Sequence, residues 1–360
     1  MVVFGAIICL ACGSDGREAE PPSPLRAEFA YVANQADDTV SGYSIDPTTG
    51  ALTPIPGSPF ATGTSPLSIA VDPVAKLIYV SNGDNSVSGY SVNGNTGALR
   101  PVQGSPFRKG FNHPTSISID PTAKFVYVAN NGNGTVSGFG IDAITGALKP
   151  VPGSPFAGNS PFSLSVDPTG KFVYAVNTGD STVSDYRINR TTGALKPISG
   201  SPFGTGTSPY SVAVNPTAEF VYVVNQVENT VSGFRIDSTT GALKVVPGSP
   251  FAAGNSPLSV AVDPTAQFIY VVNKADNNVS GYRIDAKTGA LKPIPGSPFP
   301  TGDVPLSVAV DPRGQFAYVA NKHDRTVSGY SIDATTGALT PIPGPPFPTG
   351  QLPRSIAIRR

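Results

Sequence analysis

A hexapeptide that ends in asparagine recurs seven times along this chain, and its spacing dictates the fold. It reads FAYVAN (to Asn34), LIYVSN (Asn82), FVYVAN (Asn130), FVYAVN (Asn177), FVYVVN (Asn225), FIYVVN (Asn273) and FAYVAN (Asn321). Successive asparagines lie 48, 48, 47, 48, 48 and 48 residues apart. A repeat of this length cannot bury its own apolar faces and must stack against copies of itself. No window keeps a 3.6-residue apolar period without a Gly or Pro interrupting it, so helices are excluded as the building unit. Gly and Pro, 39 and 38 residues, fall at fixed places between β-branched runs and act as turn punctuation.

One unit reads as four short strands bounded by turn residues. Residues 66–72 (PLSIAVD) form the first and 76–82 (KLIYVSN) the second. The third is 86–92 (SVSGYSV), closed by the NTGAL turn, and the fourth is the Pro-bounded stretch 100–107 (RPVQGSPF). Proline is tolerated at strand edges, which puts the fourth strand on the rim. Four-stranded repeats of about this length are the mark of a propeller blade. The chain enters on a second strand at Glu28 and ends on a first strand, Pro353 to Arg359. A ring resolves both loose ends. The expected fold is all-β, a seven-bladed β-propeller over 28–360 with four antiparallel strands per blade, its C-terminal strand completing the N-terminal blade.

The 24 Lys and Arg balance 24 Asp and Glu, and only 13% of residues are charged. That leaves no electrostatic footprint for nucleic acid. Both cysteines, Cys9 and Cys12, precede the repeats, so no disulfide can hold the propeller together. Residues 1–12 contain an apolar run, Val2 to Ala11, too short to span a bilayer, and read as a signal peptide. Leu10-Ala11-Cys12-Gly13 matches a lipoprotein processing site with Cys12 as the lipidated residue, although Cys9 and the missing basic residue depart from that pattern. An unstructured or mis-started N-terminus is the other reading. Residues 13–27 read as a Pro-rich tether. These features imply an exported protein, periplasmic or at the cell surface, that meets the membrane only through a lipid anchor.

In such a ring, loops joining the second and third strands share the top face with loops joining a fourth strand to the next first strand. Features common to every copy read as blade architecture. These are the seven asparagines, the serines of the Pro-x-Ser motifs (Ser68, Ser116, Ser163, Ser211, Ser259, Ser307, Ser355) and the turn-forming aspartates Asp72, Asp120, Asp167, Asp263 and Asp311. The top-loop acids Asp37, Asp38, Asp84, Asp180, Glu228, Asp276 and Asp324 lack the spacing of a calcium loop and read as solvated turn residues. Differences between copies point to ligands. The loop FRKGFNHPTS, 107–116, is one residue longer than its counterparts and carries Arg108, Lys109 and His113. The other histidine, His323, stands with Arg325 in NKHDRTV, about three blades away. Two cationic loops at one channel mouth could clamp a carboxylate or phosphate, or could be ordinary exposed loops.

The "VDPTAKF" turns, "YVAN" strand ends, "NTVSGYSID" and "TGAL" resemble the lactonase-like seven-bladed propellers, related to bacterial 6-phosphogluconolactonase and to the Tyr-Val-Thr-Asn repeat proteins. The resemblance covers 28–360. It implies a polar site at the channel mouth, where an inner strand starts Pro-Arg-His and the second strand of that blade ends Asn-Glu. In the blade SPYSVAVNPTAEFVYVVNQVENTV, Tyr210 and Ser211 stand in place of Arg and His, and Gln226 in place of Glu. Tyr, Ser and Gln donate hydrogen bonds, but none is a base at neutral pH. The expectation is an exported, non-catalytic binding or scaffold module at the cell envelope. It would be a monomer without a cofactor, taking a small anionic ligand, a glycan or an envelope protein. The resemblance keeps lactone hydrolysis as the alternative, with His113 or His323 as the base.

Overall fold

The computed structural model describes residues 28–359 apart from Ala75 and Pro345; the expected signal peptide, tether and Cys12 lie outside them. Seven antiparallel sheets form the ring. Blades 2 to 7 each use one continuous stretch of chain, with inner strands starting at Pro66, Pro114, Pro161, Pro209, Pro257 and Pro305. Blade 1 is assembled from both ends. Its inner strand, Pro353–Arg359, pairs antiparallel with Glu28–Asn34, placing Phe29 opposite Arg359 and Val32 opposite Ile356. The ring closes as its strand count requires.

The sequence pattern of each strand follows from where it lies. The second strand of every blade is sandwiched between two neighbouring blades, so FVYVVN, Phe220–Asn225, is buried at all six positions. A strand covered on both faces reads as a continuous apolar run. Inner strands turn one face to the channel and show the buried-intermediate-intermediate rhythm of Pro209–Val214. The core is divided into seven clusters, each built from facing sides of two adjacent blades; one joins Phe220 and Tyr222 to Ile269, Val271 and Tyr282.

The fourth strand differs from expectation. Instead of one strand over 100–107, blade 2 has Leu99–Pro101 and then a single bridge from Phe107 to Val87. Elsewhere the rim is split into a three-residue and a two-residue strand, such as Leu52–Pro54 and Phe60–Ala61, both pairing with the third strand. The intervening Pro-Gly-Ser-Pro removes amide donors and bows the chain outward. Serine fills the gap: the Ser58 hydroxyl accepts the Gly42 N–H at 2.9 Å.

Two sets of hydrogen bonds join blade to blade. The buried tyrosine of each second strand donates to the glycine carbonyl of the next blade's TGAL-type turn, as Tyr31 does to Gly97 at 2.7 Å and Tyr318 to Gly50 across the closure at 2.7 Å. The glycine is required twice over: Gly97 has φ +72°, and a Cβ there would sit 2.4 Å from the Phe29 ring. At the axis, the Pro-x-Ser hydroxyls accept the N–H of the next inner strand, from Ile69 to Ser355 at 3.3 Å and from Leu164 to Ser116 at 3.2 Å. Five of the seven shared serines, Ser68, Ser116, Ser259, Ser307 and Ser355, are therefore stitches between strands. The shared aspartates are turn formers as expected; Asp120 accepts the N–H groups of Lys124 and Phe125 at 2.7 and 2.6 Å.

Candidate channel-mouth site

The residue between Pro and Ser stands at the same place in each inner strand. Around the ring these are Arg354, Leu67, Thr115, Phe162, Tyr210, Leu258 and Leu306. Arg354 on blade 1 reaches across to blade 5, where its Nη2 donates to the Tyr210 hydroxyl at 2.6 Å, with Cζ 5.9 Å from the ring centroid. Tyr210 in turn packs on Phe162 of blade 4, ring centroids 4.3 Å apart and tilted 42°. A guanidinium, a phenol and a phenyl ring thus share one mouth. The inner-strand stitches stop at this place: Ser163 and Ser211, next to the two rings, accept no such bond among the described residues.

Arg354 is half-buried and takes part in none of the ion pairs among the described residues, which join Arg108 to Asp84, Arg313 to Glu28 and Asp311, and His323 to Asp303. A guanidinium held by a neutral phenol keeps its full charge and four further N–H donors for an arriving acceptor. The aromatic pair offers an apolar face beside it.

The other predicted residues are placed separately. Arg108 pairs with Asp84 at 3.3 Å, and Lys109 beside it is exposed. His113 is exposed at φ 46°, its N–H donating to Asn85 Oδ1 at 2.6 Å. His323 Nδ1 lies 3.1 Å from Asp303 Oδ2, and Arg325, at φ 56°, accepts the Thr349 N–H through its carbonyl. No hydrogen bond or ion pair joins the His113 loop to the His323 loop among the described residues. Gln226 donates to the Ser256 hydroxyl at 3.3 Å, just as Gln35 of blade 1 donates to Ser65 at 3.1 Å.

Several top-loop acids are more than solvated turn residues, because they tie one top loop to the next. Asp38 Oδ1 accepts the Ser65 N–H at 2.7 Å, Asp37 the Gln351 N–H at 2.6 Å, and Asp276 the Asn255 N–H at 2.7 Å. The bond from the Asn255 backbone, followed by that from its side chain, lowers the Asp276 pKa. No group of three His, Cys, Asp or Glu side chains gathers as metal ligands among the described residues.

Arg354 is the site residue with the weakest mark in the sequence. Six Pro-x-Ser motifs carry an apolar, aromatic or hydroxyl residue at the middle position and one carries a cation. Pro353-Arg354-Ser355 keeps the Pro-Arg of the family pattern, with Ser355 replacing His and Gln35 following Asn34 where Glu would stand. The signal was visible, yet it lay on a strand that reads as a fragment until the ring is closed.

The fold agrees with what the chain is similar to. A candidate 6-phosphogluconolactonase from Bacteroides uniformis superposes with a TM-score of 0.81 at 17% identity, covering 93% of this chain and 100% of that one. A candidate 6-phosphogluconolactonase from Bacteroides fragilis gives 0.80 at 19% identity, covering 95% and 100%. The periplasmic gluconolactonase of Pseudomonas aeruginosa gives 0.77 at 19%, covering 92% and 99%. No curated protein sequence matches. The family described as lactonase, 7-bladed beta-propeller, matches residues 25–109, 56–208 and 164–351. Seven closed blades and family matches spanning nearly the whole repeat region establish that the chain belongs to the lactonase-type seven-bladed β-propellers.

Proposed function

We propose that this protein is an exported binding module that holds a small carboxylate or phosphate, of the sugar-acid class, at the top of its channel without hydrolysing it. The observation that carries this reading is Arg354: a half-buried guanidinium without a carboxylate partner among the described residues, laid over Tyr210 across the mouth. An anionic ligand would displace or join the phenol and accept two parallel N–H bonds. Phe162 and Tyr210 offer apolar surface to the C–H face of a sugar chain. Lactone opening needs a base as well as an oxyanion donor. Here Ser355 stands in the histidine position with its hydroxyl accepting the Ile69 N–H, and Gln35 stands in the glutamate position. Binding survives those exchanges; activation of water does not. Lipid anchoring through Cys12 belongs to the same proposal, and the similar Pseudomonas protein is named as periplasmic.

Titration calorimetry of the purified propeller against gluconate and 6-phosphogluconate tests this. Arg354→Gln should weaken binding about 10- to 100-fold, the scale of one charge-assisted hydrogen bond. Gluconolactone should open no faster than in buffer. Turnover above background that Arg354→Gln abolishes would establish the second reading, lactone hydrolysis, which the retained Pro353-Arg354 pair favours. The clamp by His113 and His323 is tested alongside: His113→Ala with His323→Ala should leave sugar-acid affinity unchanged, and a loss would move the site to those loops.

A further inference from the structure

On the opposite face, the repeats show what one of them lacks. Six second strands carry Phe five residues before their closing Asn: Phe29, Phe125, Phe172, Phe220, Phe268 and Phe316. Five of these rings lie under a guanidinium of the chain itself, with Cζ 4.7–5.9 Å from the centroid: Arg359 over Phe29, Arg187 over Phe172, Arg235 over Phe220, Arg283 over Phe268 and Arg313 over Phe316. In blades 4 to 6 the arginine comes from the third strand, directly paired with the phenylalanine. Its Nη2 also donates to a turn carbonyl of the next blade, Arg187 to Thr239 at 2.5 Å, Arg235 to Lys287 and Arg283 to Thr335.

Blade 3 has the ring and the turn but no arginine. The partner of Phe125 is Gly140, and no guanidinium stacks on Phe125 among the described residues. Phe125 is the most exposed of the six rings at 8%, and it lines a groove of about 700 Å³ with Gly140, Asp142, Lys149, Pro150 and Thr192. The glycine is not a backbone requirement. It lies in ordinary strand geometry, and an added Cβ would meet only the Lys149 carbonyl, at 3.8 Å. Lys149 does not forbid a cation, because Lys196, Lys244 and Lys292 flank the arginines of blades 4 to 6 at the same register.

We infer that this groove is a receptor site for a guanidinium group from outside the chain, which stacks on Phe125 and donates to the turn carbonyl at Thr191, the counterpart of Thr239. The protein's own blades specify the ligand class, because three of them fill the same place with the same group. The flat guanidinium suits both contacts at once, whereas an ammonium offers no plane to stack. Asp142 on the rim adds a carboxylate. The source is a free guanidinium compound or an arginyl side chain of a peptide, and the two share this chemistry.

Ring-labelled phenylalanine NMR on the full propeller tests the site, with methylguanidinium, N-acetylarginine amide, an Arg-containing tripeptide and N-acetyllysine amide as probes. Saturable shifts of the Phe125 ring signals with the first three are expected, with affinity for the lysine compound lower by roughly tenfold. Tighter binding of the tripeptide than of methylguanidinium would assign the source to a peptide, and equal binding to a free small cation. Gly140→Arg should abolish the shifts by filling the groove with the chain's own guanidinium, while Gly140→Ala, which adds only the unobstructed Cβ, should keep them. No saturable shift, equal binding of the lysine compound, or binding retained in a folded Gly140→Arg protein would overturn the assignment.

Discussion

Blade 5 and blade 1 have the same strands in the same register and hold them by different means. In blade 5 the inner strand Pro209–Val214 runs into the second through a tight turn, where Asn215 accepts the N–H groups of Glu219 and Phe220, both at 2.9 Å. Blade 1 has no such turn, because its inner and second strands are opposite ends of the chain. Arginines take over at the seam. Arg359 occupies the turn-acid position and lies over Phe29, Arg313 of blade 7 meets Glu28 at 3.0 Å, and Arg354 reaches Tyr210. Where a covalent turn holds two strands, a short side chain suffices; where chain ends must find each other, long cations with several donors do the joining.

The comparison breaks most completely if the borrowed strand is removed. Deleting 353–360 leaves Glu28–Asn34 with an unpaired edge at the axis and should abolish the cooperative thermal transition, read by circular dichroism. A truncated protein that melts like the parent would refute the closure. Arg313→Ala is next. It removes one ion-pair partner from Glu28, 5% exposed at the seam, and should cost about 3 kcal/mol in urea unfolding. The equivalent change at Arg283 of blade 6, whose guanidinium is exposed and makes no ion pair among the described residues, should cost less than about 1.5 kcal/mol.

A smaller effect, of opposite sign, is expected in blade 4. Six blades place glycine in the middle of the third strand, and blade 4 places Asp185 there, fully buried with both carboxyl oxygens lacking a hydrogen-bond partner among the described residues. In its neighbours a Cβ at that site meets the blade's own core, as at Gly233, where Val246 Cγ2 lies 2.8 Å away. The local tyrosine bond is the longest of its seven, Tyr174 to Gly241 at 3.3 Å against 2.7–2.9 Å elsewhere. Asp185→Gly should therefore stabilise the protein by about 1–3 kcal/mol. Burial raises the Asp185 pKa well above the ordinary carboxylate value. The folded state then binds a proton that the unfolded chain has lost above about pH 4, so stability falls as pH rises from there toward the folded pKa. Asp185→Gly should flatten that slope, and an unchanged slope would place the titration elsewhere. Smallest is a pair: Tyr222→Phe should cost about 1 kcal/mol and Tyr174→Phe less, since only the former breaks a 2.9 Å bond.

The architecture was legible because a seven-fold repeat states its own interfaces. The Tyr, Gly, Asn and Asp positions return at fixed offsets, and each has one geometric task per blade. The split of the rim strand is not legible, because proline's effect on pairing depends on which side of the strand faces the neighbour, and sequence does not show that. The mouth was harder. Arg108, His113 and His323 attract notice as rare residues in unusual loops, yet Arg108 and His323 are matched to local acids and His113 is tied through its backbone. Arg354 and Tyr210 are 144 residues apart and meet because blades 1 and 5 face each other across the channel. Such a pair follows from ring geometry rather than from any local motif. Asp185 escaped for the opposite reason: it stands in a well-formed strand, and only comparison with the glycine at the same place in the other blades exposes it.

The tyrosine bonds have a consequence for how the molecule comes apart. In an open stack of repeats the two terminal units each have a single neighbour, so fraying starts there and travels inward. A closed circle has as many joints as units. Tyr318 to Gly50 supplies the joint that an open stack would lack. No blade is then terminal, and loosening any one of them breaks two joints at once. Amide exchange in the second strands should accordingly show no gradient from the chain ends toward the middle, with the first opening at the joint between blades 4 and 5, whose tyrosine bond is the longest, rather than at either terminus.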